Sequence, residues 1–193
     1  MLPEVDNLVF VVVGLGNPGR AYRNTRHNAG FMVLDRLVAR LGESFSRLEA
    51  RALIVKAVYR DKRLILAKPQ TFMNESGRSV GTLVRFYKVP LSNLLVIFDD
   101  VDLPLGTLRF RASGGSSGQK GMRSIIERLG SEDFIRLRVG IGRPPGSMQA
   151  ADYVLENFSS QEAALLPQLL DRAVDAVFTY IAEGLDTAMN SYN

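Results

Sequence analysis

The chain of 193 residues contains a single histidine, and the position of this histidine suggests chemistry rather than packing. His27 stands in the polar segment "NTRHNAG", between Arg26 and Asn28, just before an apolar stretch begins. A lone histidine is more often structural than catalytic, but a polar loop ahead of a helix is not a core position. Near neutral pH an imidazole in such a loop can accept or donate a proton. His27 is therefore our first candidate for proton transfer.

An acidic cluster follows a predicted buried strand in the segment "FDDVDLP". The carboxyl end of such a strand is where α/β proteins place functional groups. Three interpretations of Asp99, Asp100 and Asp102 stay open at this point. They could hold Mg²⁺ in a phosphohydrolase, they could form a turn before Pro104, or one of them could orient the imidazole of His27.

Two further loops carry amide side chains. In "GLGNPG", the residues Gly14, Gly16 and Gly19 match the dinucleotide fingerprint G-x-G-x-x-G. No helix opens within these glycines, and no acidic residue ends a second strand about 20 residues on, so we do not expect nicotinamide or flavin binding. We expect the glycines to let the loop bend tightly and to expose Asn17.

The loop "PQTFMNESG" places Phe72 and Asn74 in a setting too polar for a core and too apolar for a free loop. An amide both donates and accepts, so Asn74 suits recognition of a peptide group, although a bond to its own backbone in a turn is equally consistent. A later loop, "SGGSSGQKG", is typical of phosphate-binding loops. It lacks the G-K-[ST] of a Walker A motif and the G-x-S-x-G of serine hydrolases.

Composition excludes several kinds of site. The chain has no cysteine, which excludes disulfides, a thiol nucleophile and cysteine-ligated zinc, and one histidine excludes the common imidazole metal sites. Residues 1–149 carry 23 Lys+Arg and 13 Asp+Glu, whereas residues 150–193 carry 1 and 7. Arginine outnumbers lysine 19 to 5, which suits phosphate oxygens but also fits a coding or thermophilic bias. The charge asymmetry favours a polyanionic partner on one face.

The pattern of apolar residues predicts the elements that position these groups. Predicted strands cover 8–14, 51–69 (a hairpin turning at Asp61-Lys62), 93–98, 106–112 and 134–142. Predicted helices cover 29–41, 122–129 and 160–183, and a further predicted helix lies between Ser76 and Pro90. We expect Asn28 and Ser76 to cap helices, and Pro167 to kink the last helix or mark its start. The prediction is a single α/β domain over residues 1–193, a three-layer sandwich with a twisted mixed β-sheet flanked by helices.

No apolar run reaches the ~18 residues of a membrane span, and no secretory signal precedes the first strand. We therefore expect no membrane association and a cytoplasmic location.

Four separated motifs resemble those of bacterial peptidyl-tRNA hydrolases, in the same order. They are "VVVGLGNPGRAYRNTRHNAGFMVLDRL", "KPQTFMNESGRSV", "DDVDLPLGTLRFR" and "FIRLRVGIGRPP", and the resemblance runs from about Val9 to Asn190. It implies an enzyme that cleaves the ester between a peptide and the 3′ ribose of tRNA, recycling tRNA from aborted translation. It also implies a monomer that needs no metal and no cofactor.

The resemblance assigns roles to residues of this chain. His27 matches the general base, Asp99 the carboxylate that orients it, and Asn17 the amide that recognises the peptide beside the ester. Further matches are to residues that bind the substrate. Asn74 matches a second substrate amide, Tyr22 and Phe72 match contacts to the tRNA 3′ end, and Arg111 and Arg138 match contacts to the 5′ phosphate.

Strand alternation is consistent with a phosphate-binding patch. Arg109 and Arg111 share one strand face, and Arg136 and Arg138 share another. Two cationic strand faces side by side would attract phosphate groups.

The chain departs from the family pattern in one loop. Gln119 and Lys120 stand where the family's common loop has a histidine and an asparagine, and Phe98 stands where many relatives have histidine or tyrosine. Lys120 has donors but no acceptor, so it cannot copy an amide, and we retain it as a binding residue for a phosphate or an oxyanion. The altered loop keeps a second hypothesis open, a non-catalytic RNA-binding relative of the kind that serves intron splicing.

Overall fold

A computed structural model describes residues 8–193 of the chain. Its centre is a seven-stranded sheet in the order β2-β3-β4-β1-β5-β7-β6. The strands are β1 (Val9–Gly14), β2 (Arg47–Glu49), β3 (Ala52–Tyr59), β4 (Lys62–Pro69), β5 (Leu94–Asp100), β6 (Leu108–Arg111) and β7 (Ile135–Gly140). The four central strands are parallel, whereas β2, β3 and β6 pair antiparallel. The predicted mixed sheet is confirmed.

Helices cover both faces of this sheet. They are α1 (Ala29–Arg40), α2 (Ser76–Phe86), α3 (Lys120–Leu129), α4 (Ala150–Tyr153), α5 (Ser160–Glu183) and α6 (Leu185–Tyr192). One apolar cluster joins the sheet to α1 and α5, and a second joins its other face to α2 and α3. Because both faces are covered, β1 and β5 are buried almost throughout, as their apolar runs predict. The three-layer prediction is therefore confirmed.

The last long helix matches its predicted bounds, Ser160–Glu183. The Ser159 hydroxyl accepts the backbone N–H of Glu162, and the Glu162 carboxylate accepts the N–H of Ser159, a reciprocal cap that the sequence analysis did not identify. The helix runs through Pro167, so this proline does not mark its start.

Four local predictions were wrong, and in the first two of them the predicted capping side chain has another partner. The Ser76 hydroxyl donates to the Met73 carbonyl instead of capping α2. The Asn28 amide bonds to the backbone of residue 17 rather than to α1. Helix α3 begins two residues earlier than predicted, because Gln119 caps it. The hairpin turns at Arg60 and Asp61, both with positive φ, one residue before the predicted position.

The glycines of the G-x-G-x-x-G segment have a packing role. A Cβ on Gly14 would lie 2.2 Å from the carbonyl oxygen of Gly30, and a Cβ on Gly30 would lie 2.4 Å from that of Ile97. The first turn of α1 therefore rests directly on β1 and β5. Only Gly19, with φ of 105°, has the backbone conformation that a tight bend requires. This packing draws the residue 24–30 loop onto the ends of the central strands.

The candidate residues meet at the carboxyl ends of the central parallel strands. In the sheet, β4 lies on one side of β1 and β5 lies on the other, so the chain changes direction across the sheet at β1. The carboxyl end of β1 is therefore a topological switch point. The loops after β1 and β4, the end of β5 and the loop before α3 all converge there. Among residues 8–193, no helix is long and apolar enough to cross a membrane.

Candidate active site

The converging loops enclose a cleft of about 450 Å³. Seven of the nine predicted site residues line it, namely Asn17, Tyr22, His27, Phe72, Asn74, Asp99 and Lys120. The two predicted phosphate contacts, Arg111 and Arg138, lie on β6 and β7 and are not among the lining residues.

His27 and Asp99 lie in direct contact although 72 positions separate them. Nδ1 of His27 lies 2.8 Å from Oδ2 of Asp99, and the two side chains are 10% and 2% exposed. A carboxylate can only accept, so the contact places the proton of a neutral imidazole on Nδ1. The other ring nitrogen, Nε2, then keeps its lone pair, and no group in residues 8–193 forms a hydrogen bond with it. The pair can therefore offer a base at the cleft.

The backbone around His27 is held by the segment that follows β7. The N–H of His27 donates to the carbonyl of Val154 at 2.8 Å, and the N–H of Arg26 donates to that of Glu156 at 3.1 Å. The Arg26 guanidinium is buried, lies 4.0 Å from the centroid of the Tyr153 ring and pairs with Glu162 at 2.7 Å. These contacts fix the loop before α1.

The pKa of Glu162 follows from the same contacts. Burial raises it, but the hydrogen bonds from Ser159 and Arg26 outweigh burial and hold this pKa below its usual value. From the sequence, Arg26 is only a neighbour of His27. Its partner is 136 positions away, beyond any local pattern.

Asn17 is buried rather than exposed, which corrects the expectation from the glycine-rich loop. Its backbone N–H and C=O form a reciprocal pair with the side-chain amide of Asn28, at 2.8 and 2.9 Å. Its own Oδ1 accepts the backbone N–H of Met73 at 2.8 Å. A backbone N–H can only donate, so the amide orientation is fixed and the Nδ2 group remains as a donor for the cleft.

Three other lining residues have freer side chains. Phe72 is 57% exposed, Asn74 is exposed, and Tyr22 is half-buried. The side chain of Asn74 makes no hydrogen bond within residues 8–193, so the alternative of a bond to its own turn is not what this structure contains. An exposed aromatic ring and a free amide at a cleft can contact a nucleobase or a peptide group.

Gln119 is a site residue whose contact the sequence analysis missed. Its Oε1 accepts the N–H of Met122 at 2.7 Å, and its Nε2 donates to Oδ1 of Asp99 at 3.1 Å. The signal in the sequence was a polar residue directly before a helix, but only the fold reveals that Asp99 lies beside it. The next residue, Lys120, begins α3 and is exposed.

The three carboxylates of the acidic cluster do not converge. Asp99 contacts His27 and Gln119, Asp100 pairs with Arg138, and Asp102 pairs with Arg143 at 3.1 Å. Within the part of the chain that the structure describes, no group of three or more His, Cys, Asp or Glu side chains could hold a metal ion.

The four arginines of β6 and β7 have different environments. Cross-strand pairing places Arg109 opposite Arg138, and Arg111 opposite Arg136. Arg111 is exposed, and Arg138 is mostly buried against Asp100. The expectation that Arg136 contributes to a basic surface was wrong. Its guanidinium is buried and donates to backbone carbonyls of Gly114, Gly115, Glu132 and Phe134.

Burial lowers the pKa of Arg136, with a further lowering by the nearby charge of Arg138. The loop over β7 encloses this side chain, which strand alternation cannot reveal. Arg136 therefore holds the loop that leads to Gln119 and Lys120.

The acidic end of the sequence lies largely on α5, and part of its charge is paired. Arg36 and Arg40 of α1 bind Asp171 and Asp175 of α5, each at 2.7 Å. None of these four residues lines the cleft. The cleft instead has Lys120 at its edge, and Arg138 lies beside Asp100, one of its lining residues.

Known proteins similar to this chain identify its family. The family model described as peptidyl-tRNA hydrolase matches residues 11–193. A peptidyl-tRNA hydrolase of Chloroflexus aggregans is 49% identical over 186 residues, covering 96% of this chain and 99% of that protein. One of Geotalea daltonii is 50% identical over 185 residues, covering 96% of each.

Solved structures give the same result. The crystal structure of peptidyl-tRNA hydrolase from Acinetobacter baumannii superposes with a TM-score of 0.89 at 31% identity and covers 96% of both chains. The family model matches nearly the whole chain, and these two relatives have 49% and 50% sequence identity to it. The chain belongs to the peptidyl-tRNA hydrolase family.

Proposed function

We propose that this chain hydrolyses the ester bond between peptide and tRNA in peptidyl-tRNA, and so recycles tRNA from aborted translation. The observation that carries the proposal is the 2.8 Å contact between Nδ1 of the only histidine and the buried carboxylate of Asp99, at a cleft. Membership of the peptidyl-tRNA hydrolase family supports the choice of substrate.

In this proposal His27 is the general base. Nε2 takes a proton from a water molecule as the water oxygen attacks the ester carbonyl carbon, and Asp99 stabilises the imidazolium that forms. The tetrahedral intermediate then collapses, the bond to the ribose 3′ oxygen breaks, and Nε2 returns the proton to that oxygen. Proton transfer of this kind contributes about 10²–10⁴-fold to a rate, and the remainder must come from positioning and charge stabilisation.

Asn17 recognises the peptide beside the ester. Its Oδ1 is committed to Met73, so the group that it offers to the cleft is the Nδ2 donor. A donor suits a peptide carbonyl or the developing oxyanion. An aminoacyl-tRNA without a second peptide unit lacks that carbonyl, which gives the site a physical basis for sparing it.

The tRNA 3′ end occupies the opening of the cleft. Phe72 and Tyr22 offer aromatic surfaces on which a terminal base can stack, and Asn74 offers an amide to the substrate. Lys120 adds a cation for a phosphate or the oxyanion.

The tRNA 5′ phosphate contacts Arg111 and Arg138 in this proposal. Arg111 is exposed and free to bind, whereas Arg138 is already paired with Asp100. A phosphate therefore shares the Arg138 guanidinium with that carboxylate. Five donors on one guanidinium allow sharing.

The proposal includes a single-domain monomer in the cytoplasm that needs no metal or cofactor. Residues 1–7 of the predicted 1–193 domain lie outside the described residues. Size-exclusion chromatography with light scattering tests the monomer, and cell fractionation tests the location. Activity that survives EDTA excludes catalysis by a divalent ion at the acidic cluster, whereas loss on chelation and return with Mg²⁺ would favour the phosphohydrolase.

The deciding experiment measures peptide release from N-acetyl-aminoacyl-tRNA by the purified chain. We expect multiple turnovers by the wild type, and for His27→Ala a loss of about 10²–10⁴-fold in kcat/KM with an unchanged melting temperature. No release by the wild type at any enzyme concentration, together with tRNA binding, would instead favour the non-catalytic RNA-binding relative. Near wild-type turnover by His27→Ala would remove His27 from the mechanism.

Asn17→Asp tests the donor assignment in the same assay. The new carboxylate keeps an acceptor for Met73 but removes the donor. We therefore expect lower kcat/KM for N-acetyl-aminoacyl-tRNA and a smaller preference over aminoacyl-tRNA. An unchanged preference would contradict the role of Asn17.

A further inference from the structure

We propose that Gln119 is a positioning residue for the reaction, because its side chain holds the Asp99 carboxylate in the orientation that His27 requires. This inference rests on the proposed function. Gln119 belongs to the glycine-rich loop "SGGSSGQKG" and directly precedes α3.

The orientation of the Gln119 amide is set by the main chain of α3. The backbone N–H of Met122 can only donate, and it lies 2.7 Å from Oε1. The oxygen of the amide is thereby identified, and Nε2 must point the other way. There it donates to Oδ1 of Asp99 at 3.1 Å and lies 3.3 Å from the sulfur of Met73.

The two oxygens of Asp99 thus have separate donors. Oδ1 accepts from Gln119 and Oδ2 from His27. Two fixed donors define the plane of the carboxylate, and hence the direction of the lone pair that meets the imidazole. Because the amide is neutral, it holds the carboxylate without cancelling its charge, and that charge remains available to the imidazolium.

The other charged groups near this pair are already paired or stand at the cleft edge. Asp100 is bound by Arg138, Arg26 is bound by Glu162, and Lys120 is exposed beside the cleft. A change at position 119 therefore acts mainly on Asp99 and, through it, on His27.

Two substitutions separate the two roles of Gln119, which caps α3 and donates to Asp99. Gln119→Ser and Gln119→Glu both retain an acceptor for the N–H of Met122, so α3 stays capped in both, and the melting temperature of Gln119→Ser stays close to that of the wild type. The serine side chain is too short to reach Asp99, and an ionised glutamate has no donor. We expect kcat to fall about 10- to 150-fold with little change in KM, as for loss of a hydrogen bond to a charged group.

The pH profile adds a readout that a purely structural role would not move. A glutamate at this position brings a second negative charge beside Asp99, which favours the protonated form of His27. The acid limb of the kcat/KM profile should therefore move to higher pH in Gln119→Glu. Gln168→Glu, the same change at an exposed position of α5, should leave the profile and kcat as they are.

A double variant gives the sharpest test. In Asp99→Asn, Gln119 forces the new amide to present its oxygen to Nε2 of Gln119 and its NH₂ to Nδ1 of His27. That contact moves the imidazole proton to the nitrogen that should act as base. Removing the constraint with Gln119→Ser lets the amide turn over. We therefore expect the double variant to have a kcat about 3- to 10-fold higher than that of Asp99→Asn alone. This range corresponds to the net free energy of one hydrogen bond.

The outcomes distinguish this inference from the proposed function. Wild-type inactivity on N-acetyl-aminoacyl-tRNA would defeat the function, whatever position 119 does. An active wild type, with Gln119→Ser and Gln119→Glu at wild-type kcat, or with a double variant no better than Asp99→Asn, would defeat the role of Gln119 alone. If kcat and the melting temperature both fall in Gln119→Ser and the pH profile of Gln119→Glu does not move, Gln119 acts only as a helix cap.

Discussion

Asp99 and Asp100 are adjacent, buried carboxylates at the end of β5, and they have opposite kinds of partner. Asp99 accepts hydrogen bonds from an imidazole and a neutral amide. Asp100 forms an ion pair with Arg138 and also accepts the backbone N–H of Asp102 at 2.8 Å. Neighbouring residues of a strand point to opposite faces, so one strand end supplies two different environments.

The difference shows how one residue type serves two purposes. A permanent cation beside Asp100 compensates its charge at every stage, which makes that carboxylate a fixed anchor. Asp99 has no permanent cation among its hydrogen-bond partners in residues 8–193, so its charge is compensated only when His27 becomes protonated. In the proposed mechanism, the free energy of that charge pair is then available during the reaction rather than before it.

The largest effect should come from removing the charge of Asp99. Asp99→Asn preserves shape but loses the charge and reverses the imidazole tautomer, so we expect kcat to fall about 10²–10⁴-fold. Steady-state peptide release measures it, and circular dichroism checks the fold. The same substitution at Asp100 is the matched control, and it should retain most of kcat. Equal losses of kcat for both would end the distinction between the two carboxylates.

Breaking the ion pair of Asp100 should act on stability instead. Arg138→Met leaves a buried, unpaired carboxylate, and we expect the free energy of unfolding to fall by about 3 kcal/mol. Denaturant unfolding measures this change. The double variant Asp100→Asn, Arg138→Met should recover much of the loss, because neither charge then remains buried alone. A single variant as stable as the wild type would show that the pair is not needed to anchor β5.

Arg136 offers a third kind of buried charge, one whose partners are backbone carbonyls. Arg136→Met removes donors from four carbonyls, and we expect a loss of about 2 kcal/mol in the free energy of unfolding together with faster proteolysis in residues 112–119. Peptide mapping after limited digestion locates the cut. Wild-type protection of this loop would contradict its attachment through Arg136.

The smallest effect should come from Lys120, which lies at the cleft edge and is exposed. Lys120→Asn replaces the cation by a neutral amide. We expect a few-fold change in KM, and if Lys120 neutralises a phosphate, the slope of log affinity against log salt should fall by about 1. Binding titrations at several salt concentrations measure this slope. An unchanged slope would leave Lys120 without a phosphate contact.

The sequence was sufficient for the fold class and for the long elements, because their signals were local. The apolar run of β1, the amphipathic pattern of α5 and the alternation along β7 each predicted their element. Short elements such as β2, α4 and α6 were not predicted, since three to eight residues carry too little periodicity. Caps failed where a side chain had a tertiary partner, as with Asn28 and residue 17.

Most of the residues that line the cleft were predicted, but most of their hydrogen-bond partners were not. The resemblance paired His27 with Asp99, and Nδ1 of His27 lies within hydrogen-bonding reach of Oδ2 of Asp99. The contacts of Gln119 with Asp99 and of Arg136 with the loop carbonyls join positions 20 to 22 residues apart through loop folding. No spacing rule encodes such contacts, because they depend on how the loop closes over β7.

The most direct test of the central claim uses the fact that the chain has one histidine. Nitrogen-15 NMR of histidine-labelled protein reports the tautomer of His27 without overlap from any other imidazole. We predict, for the neutral ring, a proton on Nδ1 shared with Asp99 and a bare Nε2, with this preference lost in Asp99→Ala. A wild-type ring that carries its proton on Nε2 would contradict the account, because the nitrogen facing the substrate could not then act as the base.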